Sequence, residues 1–188
     1  MSEIIAIKRL FTADSEFETD LANCLDREML VADGITETVS SILRDVRKSG
    51  DAAVVKYTNK FDRFQAVSMD DLLVSKNQLQ ASLDNISDTQ RKALNHAAER
   101  IQKYHEKQKQ SSRHYEEADG SVYGQKVSPL QRVGIYAPGG KANYPSSILM
   151  LAIPAQVAGV KEIIATVPTP YGKDGNLVFA AAALAGVS

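Results

Sequence analysis

The 188 residues predict an α/β protein, an N-terminal helical region followed by part of a parallel-sheet domain, and three observations carry that prediction. Residues 1–128 hold 18 basic and 21 acidic side chains, whereas 129–188 hold 4 and 2. The last third also holds all six prolines and seven of the eleven glycines, the texture of buried strands joined by tight loops rather than of solvated helices. Apolar residues recur at helical spacing in the first part and in short continuous runs in the second. An organisational boundary near 126–132 is therefore expected, with a helical region over 1–128 and a sheet-bearing region over 129–188.

In the helical region, Asp14 is placed to cap a segment through about Leu25, with Phe17, Leu21 and Leu25 along one face. Gly34 to Ser49 follows, where Ile35, Val39, Ile42 or Leu43, and Val46 keep helical period and Gly50 stands where a terminating glycine belongs. Asp51 opens a shorter helix to about Phe61, and Ser75 opens another. Ser87 with Gln90 makes a capping box ahead of a long helix to about Gln110, whose Leu94, Ala98, Ile101 and His105 share a face.

The tail changes period. Residues 121–128 suit a strand or hairpin arm, and Arg132-Val-Gly-Ile-Tyr-Ala137 reads as a buried strand leading into the loop Pro138-Gly-Gly-Lys-Ala-Asn-Tyr-Pro145. A helix with its core at Ser146 to Val157 ends at Ala158-Gly159, Glu162-Ile-Ile-Ala-Thr-Val167 makes a second strand, and Gly175 to Ala185 an alanine-rich helix. The order β-loop-α-β-α calls for a parallel sheet with right-handed crossovers. Gly186-Val187-Ser188 falls where a third strand is expected to begin, so the chain reads as cut in mid-domain.

A net charge of −1 gives no electrostatic footprint for nucleic acid or an anionic membrane. The single cysteine, Cys24, cannot form an intramolecular disulfide or a cysteine-rich zinc site, and is expected to be a small buried thiol. With neither a signal-peptide pattern nor an apolar run near 18 residues, the expected location is the cytoplasm.

The Pro138-Gly139-Gly140 loop is the strongest local feature. A glycine pair between strand and helix lets a ligand approach the backbone, at the carboxyl end of a strand where open α/β sheets bind ligands. It matches neither the dinucleotide fingerprint nor the P-loop pattern, so a plain structural turn stands beside the ligand reading. Tyr136 can line a nucleotide pocket or pack in the core, and Lys141 can meet a phosphate or remain solvated. Ser146 and Ser147 are expected as helix caps. His96, His105 and His114 recur in nine-residue steps, which place successive rings on opposite helix faces and argue against a metal site. The mixed charges from Lys103 to Glu117 read as a wet helix face and loop.

The stretch Val133-Gly-Ile-Tyr-Ala-Pro-Gly-Gly-Lys-Ala-Asn-Tyr-Pro-Ser-Ser-Ile-Leu-Met-Leu-Ala-Ile-Pro-Ala-Gln-Val-Ala-Gly-Val-Lys-Glu-Ile163 closely resembles the corresponding stretch of the histidinol dehydrogenase family. Asp45-Val-Arg-Lys-Ser-Gly-Asp-Ala-Ala53, with Tyr57 and Lys60-Phe-Asp62, resembles its N-terminal helical part. Tyr144-Pro-Ser-Ser147 is more similar to the histidinol enzymes than to their sulfopropanediol relatives. The resemblance implies two incomplete Rossmann-like domains related to aldehyde dehydrogenases, in a zinc-dependent homodimer that oxidises L-histidinol through the aldehyde to L-histidine with two NAD. It places the zinc ligands and the catalytic glutamate and histidine later than the residues here, so no catalytic or metal residue is assigned. Tyr136 matches the family's NAD-contacting tyrosine, with Gly139 and Gly140 as weaker loop candidates. Two further readings are kept: a non-catalytic dimerisation or interaction module, and a paralogous dehydrogenase of another amino or sulfonated alcohol.

Overall fold

The computed structural model describes residues 8–25, 34–139, 144–169 and 176–188. Two compact units divide the chain, Met1–Ala53 and Val54–Ser188.

In the first unit, α1 (Phe17–Leu25) starts after a turn in which Phe17 N–H donates to Asp14 C=O at 3.1 Å, so Asp14 acts through its backbone. Helix α2 (Ile35–Ser49) ends at Gly50, whose φ of 52° lets its N–H return to Val46 C=O at 2.8 Å. Neither helix buries a residue. Cys24 is exposed, contrary to its expected burial, because α1 encloses none of its side chains.

Helix α3 (Asp51–Phe61) runs into the second unit. Its Asn59 side chain clasps Ala66, donating to the carbonyl at 2.8 Å and accepting the N–H at 2.9 Å, which folds the following turn back on the helix. A 3₁₀ turn (Met69–Leu72) then precedes α4 (Lys76–Asn85) and α5 (Asp88–Glu106). Both helices begin with a reciprocal box: Gln78 N–H donates to Ser75 Oγ while Ser75 N–H donates to Gln78 Oε1, and Ser87 and Gln90 repeat the exchange. Arg91 donates to Leu83 C=O at 2.7 Å, satisfying a carbonyl at the end of α4. Helix α5 ends at Glu106 rather than near Gln110, and Leu94, Ala98, Ile101 and His105 do form its covered face.

Strands β1 (Arg113–Glu116) and β2 (Val122–Gln125) form an antiparallel hairpin. The first arm corrects the reading of Lys103 to Glu117 as helix face and loop. Strands β3 (Arg132–Tyr136) and β4 (Glu162–Thr166) pair in parallel, with α6 (Pro145–Ala158) between them and α7 (Asn176–Leu184) after. The α/β class and the β-loop-α-β-α order are those the sequence predicts. Strand β3 is not fully buried as expected, since its residues alternate exposed and half-buried. One face is covered by α6 and the other is open among the described residues.

Helix α6 packs on both strands, α5 packs on α6, and α7 packs on α4 and α6. Helix α6 is apolar nearly all round; it buries Ile148, Leu149, Ala152 and Ile153 against the strands and neighbouring helices and leaves Met150 and Leu151 exposed. The alanines of α7 allow close approach, burying Ala180, Ala181 and Ala182. Leu79 of α4 and Leu94 of α5 belong to this same core, so these helices and the βαβα segment are held together by one set of apolar contacts.

Candidate functional site

The register of the parallel pair sets the site. Val133 and Ile135 of β3 face the same way as Ile163 and Ala165 of β4, on the covered side. Tyr136 pairs with Thr166 and Gly134 with Ile164 on the open side. Tyr136 is 62% exposed, which removes the core-packing alternative for its ring. An aromatic face at the carboxyl edge of a parallel pair stands where open α/β sheets bind ligands.

Beyond Tyr136 the ladder gains one rung, Ala137 N–H to Thr166 C=O at 3.1 Å, and Ala137 is wholly buried. Gly139 then passes against the loop that leaves β4. A Cβ built on it would lie 2.9 Å from the Pro168 carbonyl oxygen and 3.4 Å from Pro168 Cδ. On that side the glycine admits protein backbone. Gly140 and Lys141 lie outside the described residues.

Helix α6 starts at Pro145, with Tyr144 at the capping position and no side-chain capping bond. Ser146 and Ser147 are therefore first-turn residues and not caps, a correction that follows from proline's preference for the first helical position. Among the described residues no three His, Cys, Asp or Glu side chains gather as a metal site requires. The described residues therefore do not by themselves hold the zinc that the resemblance implies. The open ring of Tyr136 presents a flat apolar surface at this edge.

Two other features lie away from this edge. A depression of about 220 Å³ between α5 and α6 is lined by Gln102, Glu106, Lys109, Gln156 and Val157, at the far end of α6 from Tyr136. Arg132 pairs with Glu162 at 2.6 Å across the opposite ends of the strands, an exposed pair that contributes about 0–1 kcal/mol. No helix among the described residues is long and apolar enough to cross a membrane.

The Val167-Pro168 segment, which lies against Gly139, is not among the candidates named from the sequence. Its signal was present, because a proline stands two residues beyond each strand, in Ala137-Pro138 and Val167-Pro168.

Comparison with known proteins bears on what this edge belongs to. The family model described as histidinol dehydrogenase matches residues 25–188. A histidinol dehydrogenase of Dechloromonas aromatica is 55% identical over 184 residues, covering 98% of this chain and 42% of the relative. One of Pseudomonas syringae pv. syringae is 52% identical over 187 residues, covering 100% and 42%. A crystal structure of histidinol dehydrogenase from Elizabethkingia anophelis superposes with a TM-score of 0.73 at 32% identity, covering 83% of this chain and 36% of that one. The chain thus spans about 42% of the length of the curated relatives it matches.

Proposed function

The chain belongs to the histidinol dehydrogenase family, and from that premise we propose that it forms the N-terminal portion of an enzyme oxidising L-histidinol to L-histidine through the aldehyde. The observation that carries this is 55% identity sustained over 184 residues to a named histidinol dehydrogenase. In this reading NAD, when bound, accepts the hydride. The part played by the described residues is to bind and orient it: the Tyr136 ring packs on the cofactor at the carboxyl edge of β3, and Gly139 shapes the loop that follows. Gly140 belongs to the same loop by its sequence position. Residues 1–128 act as the helical region and 129–188 as the first half of the nucleotide-binding domain. The zinc ligands and proton-handling groups belong to the remaining length that the relatives have, and the active form is a homodimer in the cytoplasm.

The test joins residues 1–188 of this chain to the remainder of the Dechloromonas aromatica enzyme and follows NADH formation from L-histidinol with zinc. Turnover by the chimera and none by the 188 residues alone is the expected result. A folded, zinc-loaded chimera without turnover overturns the reading, as does turnover by the short chain. In the active chimera, Tyr136→Ala should raise the NAD requirement by about 1–2 kcal/mol in kcat/KM for NAD while zinc content stays unchanged.

A further inference from the structure

We propose that Gly139 and Pro168 form a joint fixing the loop after β3 to the loop after β4, which makes Gly139 a positioning residue for the ligand face around Tyr136. The proposal rests on the nucleotide reading of that face and adds a role for the β4 loop.

Three observations lead to it. First, the ladder bond from Ala137 N–H to Thr166 C=O is followed in each loop by a proline, Pro138 and Pro168. Neither proline has an N–H, so neither can extend the ladder as a donor. Second, the two loops pass each other closely just beyond that rung. The Cβ position of Gly139 lies 2.9 Å from the Pro168 carbonyl oxygen, 3.4 Å from its Cδ and 3.6 Å from Val167 Cγ1. Third, Gly139 is not among the glycines with positive φ. Close approach, not backbone freedom, is what demands glycine there. A methyl group at this position meets a backbone oxygen, which cannot swing away as a side chain can, so one loop must move. The first groups to feel that movement are the buried Ala137 and, beside it, the exposed Tyr136.

The experiment compares Gly139→Ala with Gly134→Ala, a strand position where an added Cβ meets nothing within 4 Å. Amide exchange of Ala137, read by NMR in the 188-residue chain, should quicken about tenfold in G139A and stay unchanged in G134A. NAD affinity, titrated calorimetrically in the chimera well below its melting transition, should fall about tenfold when it carries G139A. Pro168→Gly removes the ring contact at 3.4 Å but keeps the carbonyl oxygen, so it should also quicken Ala137 exchange, by less than G139A does. This variant keeps the question open to decision if G139A does not fold. Unchanged Ala137 exchange in G139A, or in P168G should G139A not fold, overturns the joint. Faster exchange with unaltered NAD affinity overturns the positioning role and leaves a purely structural contact. Absence of NAD binding by the unsubstituted chimera overturns the nucleotide reading beneath the proposal and the positioning role with it, while exchange still decides the joint.

Discussion

Two pairs of strands of similar length are built on opposite principles. The hairpin β1–β2 is exposed at every position, and its pairing is local: Glu117 N–H closes the turn on Ser121 C=O at 2.9 Å, Gly120 takes a φ of 85°, and Tyr115 stacks on its opposite number Tyr123 with ring centroids 5.5 Å apart. The parallel pair β3–β4 has no such turn. Its partners are thirty positions apart, as in Arg132 with Glu162, and they are held together because α6 covers Val133, Ile135, Ile163 and Ala165. A hairpin can be specified by its turn and cross-strand contacts. A parallel pair depends on the crossover helix that buries one of its faces. The site candidate sits on the second kind, where a rigid covered face leaves the other free for a ligand.

The contrast is broken most severely from the covered side. Ile163 is 2% exposed and central to that face; Ile163→Ala should cost about 2–5 kcal/mol of unfolding free energy, read from urea denaturation. The loss should reach α4 and α7 as well as the strands, since all contribute to one core. On the hairpin, a Cβ at Gly124 would fall 2.8 Å from the Arg113 carbonyl oxygen and 3.0 Å from His114 Cβ. Gly124→Ala should cost the hairpin about 1–3 kcal/mol through overpacking. Amide exchange at Glu117 should quicken while the amides of α6 keep their protection. If G124A lowers the global transition as far as I163A does, the hairpin is not a separate local structure and the contrast fails.

The same difference explains what could be read from the sequence. The helices and parallel strands from residue 75 onward were legible because each carries its own signal: the Ser75 and Ser87 boxes, the apolar face of α5, the strand runs ending before proline, and Gly159 after α6. The first hairpin arm was not legible, because Arg113-His-Tyr-Glu116 buries nothing and so shows no alternation of apolar and polar residues. The exposed face of β3 was hidden for the complementary reason. A short apolar run does not reveal whether one side or both sides are covered, and the position of α6 decides that. Tyr136 is a candidate through the resemblance and its place beside the loop, whereas the neighbour of Gly139 across the strands could not be read from the sequence. The contact with Pro168 joins positions made neighbours only by parallel pairing. Periodicity announces an element, whereas burial is settled by what packs upon it.

The smallest effect that separates the two pairs is a titration. The Asp119 carboxylate accepts the Ser121 N–H at 2.8 Å, and this backbone hydrogen bond, aided by the Ser121 side chain, holds its pKa below the ordinary 3.8. A carboxyl group whose pKa is lowered on folding stabilises the folded form fully at pH values above its unfolded pKa, and that contribution is lost as pH falls through the lowered folded value. The turn's protection should therefore hold from neutral pH down to about pH 5 and decline below about pH 4. Because the group is exposed, the change should stay small and confined to the hairpin, visible in the amide shifts of Glu117 and Ser121. Asp119→Asn keeps an acceptor oxygen but removes the titration, so its hairpin shifts should lose this acid-dependent step. A step of equal size in the variant would show that another group carries the pH dependence, and the turn would then lose its claim to be an independent brace.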